Sequence, residues 1–443
     1  MVVEDNNNRS APVVYGHKQS TVVPAHVTGE VNHDLTNMDL AMKLHYLRGV
    51  YYFKKSGIVD SLTVFKMKEP MFFWLDMYYQ ISGRIRRPEE AGSQPFVKCN
   101  DCGVRIVEAK CNVTLDEWLG DKELLSRWKY LVPSKVLGPQ LFFSPLTYVQ
   151  FTKFTCGGLA IGLSWSHVIG DPQTAVSCFN KWSQLLQDIK APCKPIPPNK
   201  LENNNISSPC DVAPSSVKEV ELPGDIWVLP SDSKLETIGN HSEGNCNSTM
   251  ATYSFQIKDQ MIKQLQSGSS QVGDFEIISA LLWKNIAKVR EGKELNTVTI
   301  CKNNPARSNK NLSNEQSISS VKIDSAVTKL DLSELAMAIS KHATNETHVV
   351  EAFVGGENGF KDLVVYGANL TFVDMLDLDL YGLMLKDQKP ANVEYAIDGV
   401  GEEGAVLIMQ GNENDAKLAV VVLPENELQK VREVLDSSVL SIN

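Results

Sequence analysis

The stretch most suggestive of chemistry is Gly157-Gly-Leu-Ala-Ile-Gly-Leu-Ser-Trp-Ser-His-Val-Ile-Gly-Asp171, an apolar run leading into His167, with Asp171 four residues on. Strand ends face clefts. A neutral imidazole there can take a proton from a hydroxyl or an amine while a nearby carboxylate braces the loop. Glycines at 157, 158 and 170 let backbone approach closely. The plainer alternative is a histidine satisfied by a backbone carbonyl at a strand–loop junction.

Other spacings are weaker. Asp398-Gly-Val-Gly-Glu-Glu-Gly404 matches GxGxxG, yet it precedes the strand-like AVLIMQ instead of opening a helix, and it reads as a hairpin turn. Cys99 and Cys102 have metal-like spacing without the second ligand pair that zinc requires, and read as a coincidental pair. There is no Walker loop, GxSxG elbow or HExxH helix. Basic residues gather at Lys284, Lys288, Arg290, Lys293, Lys302, Arg307 and Lys310. They are enough to meet the phosphates of a soluble cofactor, or are simply a solvated face.

The elements that hold these residues must be built from 443 residues, 43% hydrophobic and 22% charged, a globular composition long enough for two or three domains. The net charge of −10 carries no basic stripe, which excludes nucleic acid as a partner. The longest uncharged runs, Val136 to Thr152 and Phe154 to Gly170, fall short of the roughly 20 apolar residues of a spanning helix. The opening MVVEDNNNRSAP has no apolar stretch to serve as a secretory signal, so a cytosolic chain with reduced cysteines is expected and its glycosylation sequons read as chance matches.

Composition shifts at residues 191–216, where proline, asparagine and serine cluster, and this reads as a linker between a domain at 1–190 and another at 217–443. In the first half, apolar spacing predicts a helix over Asn37 to Val50, capped by Thr36 with Asp39 three residues on. A helix over Phe72 to Tyr79 and strands at FVKC, VRIVEA and YVQFTKFT follow. In the second half, helices are expected at Asp259 to Gln266, Phe275 to Arg290 (capped by Asp274) and Glu425 to Leu435, with strands at AVLIMQ and KLAVVVLP. The fold class is α/β, alternating in both halves.

Together these segments resemble a known family. The run from Gln150 to Asp171 resembles the HxxxD region of the plant BAHD acyltransferases. Supporting matches lie in order at LTNMDLAMKLHY, YYQISGRI, KCNDCGVRIVEA and DFEIISALLWKNIAKVR. The resemblance implies two chloramphenicol-acetyltransferase-like domains with mixed sheets enclosing a central tunnel, entered by acyl-CoA from one face and by an alcohol or amine from the other. It puts the catalytic base on His167 and a loop-holding aspartate on Asp171, with Arg307 as its expected partner. The acyl group would pass directly, with acyl-CoA as ligand or co-substrate and no resident cofactor, and Lys284, Lys288 and Arg307 would meet the CoA phosphates.

The family's second signature, DFGWG, falls near Asp379-Leu-Tyr-Gly-Leu383, where only Asp379 and a displaced Gly382 remain; SNEQSIS replaces the usual Gly-Asn ending of the middle motif, and Pro172 follows Asp171. An intact HxxxD with a reduced DFGWG is similar to the eceriferum branch, which the opening VYGHKQSTVVPAHVTGEVNHDLTNMDLAMKLHYLRGVYYF also resembles. That branch implies support of very-long-chain acyl-CoA elongation for cuticular wax, beside a fatty acid elongase condensing enzyme. A monomer at the cytosolic face of the endoplasmic reticulum, held there by that partner, is then expected, with cytoplasm and nucleus as the other compartments. The alternative is an acyl-CoA-dependent O- or N-acyltransferase with His167 as general base.

Overall fold

The computed structural model describes residues 14–88, 93–121, 128–133, 142–187, 194–201, 213–220, 250–266, 272–290, 292, 295–304, 312–356, 359–412 and 416–440. Arg307, Lys293 and Lys310 lie outside them, as does most of the expected linker; within it, 194–201 and 213–216 are described.

Two mixed sheets organise the chain. The first runs in the order Val14–Val22, Val104–Cys111, Thr147–Lys153, Leu159–Ser166, Tyr46–Phe53 and Asn392–Asp398, with one parallel pair, Val104–Cys111 against Thr147–Lys153. The second runs Met250–Lys258, Ala416–Pro424, Ala405–Gln410, Leu370–Met375, Thr297–Lys302, Ser317–Lys322 and Thr344–Asn345, parallel only where Leu370–Met375 meets its two neighbours. One large apolar cluster joins the first sheet to one face of the second, through residues such as Val373, Met375, Leu407 and Val420, and another lies on the second sheet's other face. On the first, helices Val64–Met77 and Pro172–Gln187 pack together, and each receives an indole N–H from the other: Trp74 donates to the Cys178 carbonyl at 2.8 Å and Trp182 to that of Met67 at 3.2 Å. On the second, helix Asp274–Val289 packs against Leu332–Lys341 and Glu425–Leu440.

Three expectations are corrected. The helix over Asn37 to Val50 stops at Ala41, and Tyr46–Phe53 is a strand buried at all eight positions. Leucines at helical spacing mimicked one long helix, but a central strand covered on both faces is also continuously apolar, and its β-branched and aromatic residues favour the sheet. Asp274 is the first helical residue and Gly273 the N-cap. The segment Asp398–Gly404 is no hairpin turn: the strand before it, Asn392–Asp398, pairs antiparallel with Tyr46–Phe53 in the first sheet, whereas the strand after it, Ala405–Gln410, lies in the second. It is a passage between sheets, and its Gly401 lies against Gly367, where a Cβ on Gly367 would fall well inside contact distance and where φ is +89°.

Candidate functional site

His167 follows directly on strand Leu159–Ser166 and opens a single 3-10 turn. Its amide donates to the His45 carbonyl at 3.0 Å, and its own carbonyl accepts from Gly170 N–H at 3.1 Å, so the turn is held from both sides. Asp171 accepts from Thr174 N–H (2.9 Å) and Thr174 Oγ1 (3.0 Å), the arrangement of an N-cap for helix Pro172–Gln187. Proline at the first helical position then fits, because that N–H has no helical partner to lose. The other Asp171 oxygen accepts the Glu315 amide at 2.9 Å, tying the helix start to the segment that carries Asn314. Asp171 therefore braces this junction.

Asn314 sets the state of the imidazole. Its Nδ2 donates to Asp39 Oδ1 (2.9 Å) and to the His167 carbonyl (2.8 Å), which turns its Oδ1 to His167 Nδ1 at 2.8 Å. An amide oxygen only accepts, so Nδ1 carries the proton and Nε2 the lone pair. Asp39 also accepts from the Asn314 amide (2.8 Å) and, through Oδ2, from Thr36 N–H (2.8 Å), the capping box read from the sequence. Burial lifts Asp39 to about 6, against the hydrogen bonds from Asn314 and Thr36 that favour its charged form. Burial likewise pushes His167 below the ordinary histidine value, although Asp171 pulls the other way, so the ring is neutral near pH 7.

The lone pair is already met. Tyr366 Oη lies 2.9 Å from His167 Nε2, and its ring packs between two histidines, with centroids 4.8 Å from His45 and 5.4 Å from His167. His45 Nε2 accepts the amides of Val365 (3.0 Å) and Tyr366 (3.4 Å), while the Tyr366 carbonyl accepts from Gly401 N–H at 2.9 Å, so the phenol is anchored by its own backbone. Oη is also 3.0 Å from Gln316 Oε1. The phenol has one proton; given to Nε2, it leaves the Gln316 amide to present its NH₂ to Oη, an exchange of amide O and N that the same separation accommodates. His167, Tyr366, His45 and Asp39 are all at 0% exposure.

The remaining predicted residues are placed elsewhere. Lys284 donates from Nζ to the Leu330 carbonyl on the second core, and Lys288 is exposed near the end of the same helix. Arg290 is bound between Glu403 and Glu427, and Lys302 pairs with Glu276 at 2.6 Å. Asp379 and Gly382 lie against the helix after Asp171: Asn180 Nδ2 donates to the Asp379 carbonyl at 2.8 Å, the Ser183 hydroxyl binds Met384 N–H and C=O, and Gln187 reaches the Lys386 carbonyl. Asn314, Tyr366, Asp39, Gln316 and His45 went unmarked in the sequence as partners of His167; only Asp39, through its cap, carried a local signal.

A separate cleft of about 1250 Å³ lies between the first sheet and the start of strand Met250–Lys258 with helix Glu425–Leu440. Lys18, Lys129 and Arg432 line it beside Glu425 and Glu433, and Arg48 and Asp398, paired at 2.7 Å, also border it. Neither His167 nor Tyr366 lines it. Among the described residues, no group of histidine, cysteine and carboxylate side chains is placed to hold a metal ion.

A family description, Transferase family, matches residues 13–437. The chain belongs to the Transferase family. Within it, the chain groups with the eceriferum proteins of the BAHD acyltransferases: it is 37% identical over 427 residues to Protein ECERIFERUM 26-like of Arabidopsis thaliana, covering 95% of this chain and 94% of that one. This Transferase family fold is similar to vinorine synthase (TM-score 0.66, 18% identity, 96% and 98% of the two chains). It is also similar to F. sporotrichioides TRI101 complexed with coenzyme A and T-2 (TM-score 0.64, 11% identity, 91% and 97%). The α/β class and the two-domain chloramphenicol-acetyltransferase-like architecture follow.

Proposed function

We infer that this chain supports very-long-chain acyl-CoA elongation for cuticular wax, beside a membrane-bound condensing enzyme, without using its own HxxxD base. The reading rests on the sealed state of His167: the ring is fully buried, with Nδ1 on Asn314 and Nε2 on Tyr366, leaving no nitrogen for an incoming acceptor. Similarity to Protein ECERIFERUM 26-like supports the link to wax, and the coenzyme A bound to TRI101 supports acyl-CoA as the ligand. No helix among the described residues is long and apolar enough to cross a membrane; in this reading the condensing enzyme holds the chain at the endoplasmic reticulum.

The test is the acyl-chain length distribution in a host expressing a plant condensing enzyme, with no added protein, with this protein, and with a folded His167→Ala variant. Equal lengthening by wild type and variant supports the reading. Lengthening by the wild type alone returns the function to His167. A second reading, an acyl-CoA-dependent transferase, is favoured by one observation: the proton on Nδ1 leaves Nε2 in the form of a general base. CoA-thiol release with candidate alcohols tests it, and a dependence on His167 of about 10²–10⁴-fold is then expected.

A further inference from the structure

A hydroxyl held by a neutral imidazole, whose other nitrogen is fixed by an amide and whose amide is fixed by a carboxylate, is the constellation of an acceptor and its base. Here the four groups are Tyr366, His167, Asn314 and Asp39. The hydroxyl comes from the chain itself. Tyr366 lies 199 residues from His167 in sequence, on a loop fixed by His45 on one side and by Gly401 on the other. Nothing on the base side is missing: the tautomer is set, the ring is neutral, and the reactive nitrogen points at oxygen.

We propose that the Tyr366 phenol fills the acceptor subsite from within, so that His167 is a complete base held shut by one side chain, and that removing the phenol uncovers a transfer site for small phenolic acceptors. The inference deepens the reading above, in which no external acceptor is used. The uncovered step balances: the phenol proton passes to Nε2, the phenol oxygen bonds to the acyl carbon, the thioester C–S bond breaks, and the CoA thiolate takes the proton back from the imidazolium.

The experiment uses the full chain as wild type, Tyr366→Ala and Tyr366→Ala/His167→Ala, with free phenol and acetyl-CoA as probes. Deleting the side chain leaves a phenol-shaped hollow, and buried hollows of that kind take up aromatic molecules. Phenol is expected to raise the melting temperature of Tyr366→Ala with increasing concentration and to leave the wild type unmoved, because a ligand that binds only the folded state stabilises it. With acetyl-CoA present, Tyr366→Ala is expected to release CoA thiol and form phenyl acetate at least tenfold faster than wild type, and the double variant at the wild-type rate.

Phenol bound without transfer, in a variant whose melting temperature also responds to acetyl-CoA, overturns the proposal. So does transfer that survives loss of His167. If Tyr366→Ala does not fold, Tyr366→Phe keeps the ring and removes only the hydroxyl. The His167 titration followed by NMR must then move upward, since a donor to the neutral form has been taken away, and an unmoved titration counts against the proposal. Chain lengthening by the wild-type protein is measured separately, so failure here and failure of the elongation reading are distinguishable.

Discussion

Replacing Asn314 with alanine removes three side-chain hydrogen bonds at once: to His167 Nδ1, to the His167 carbonyl and to Asp39 Oδ1. Two of the stranded partners keep another bond, since the His167 carbonyl retains Gly170 N–H and Asp39 retains the Asn314 backbone amide. Nδ1–H is left with nothing in a ring at 0% exposure, which costs about 1–3 kcal/mol. The charge-assisted bond to Asp39 adds roughly 1.5–3 kcal/mol. A loss of about 2.5–6 kcal/mol is therefore expected in urea unfolding. Asn180→Ala, which gives up one bond to the Asp379 carbonyl, should lose only about 1 kcal/mol. Asn314→Asp separates charge from shape: it sets a second carboxylate beside Asp39, and two such groups must share a proton. Raised carboxyl pKa values mean that the folded state binds the extra proton, so the deficit of this variant relative to wild type should be smaller at pH 5 than at pH 8. An Asn314→Ala loss no greater than that of Asn180→Ala, or an Asn314→Asp variant whose deficit relative to wild type does not change with pH, would refute the role given to Asn314 as the group that fixes the imidazole.

Burial holds His33 down at about 4 and His45 at about 3. Both are neutral when folded, so their contribution is intact above the unfolded value near 6.5 and drains as the pH falls, by about 1.4 kcal/mol per pH unit for each; NMR midpoints near 6.5 for either ring would contradict this. Gly162→Ala drives a Cβ into the Leu131 carbonyl, and an overpacking loss of about 1–3 kcal/mol should appear as a lower melting temperature, whereas an unchanged melt would mean that the 128–133 segment does not lie on this strand. Arg290→Met removes the guanidinium that pairs with Glu403 and Glu427, each about a quarter exposed, and with that solvent screening a loss of about 2 kcal/mol is expected from chemical denaturation, and none if the pairs carry no weight.

The strand into His167 and the terminal strands were legible as short continuous apolar runs, and the helices of the second half as local patterns of period near four. The Thr36 cap was legible for the same reason, and it named Asp39 as a capping residue. Its second task was not, because Asp39 meets Asn314 from 275 residues away. Asn314 and Tyr366 sit 147 and 199 residues from His167, and a lone asparagine or tyrosine has no spacing to betray it. The Asp398–Gly404 glycines misled for a related reason. Two strands separated by a glycine-rich turn look like a hairpin, and only the tertiary pairing shows that they join different sheets.

The strand Asn392–Asp398 also dictates an order of manufacture. Its side-chain anchor, Asp398, meets Arg48 from 350 residues away, so the ribosome must deliver those 350 residues before the first sheet receives its final edge. Until then Tyr46–Phe53, apolar along most of its length, waits with one flank open, and an uncovered strand of that kind invites pairing with other chains. A premature stop anywhere before residue 392 therefore yields no working first half. It yields an aggregation-prone fragment, so truncating alleles of this gene should behave as full losses, and chaperone engagement during synthesis should persist until Asn392–Asp398 has emerged.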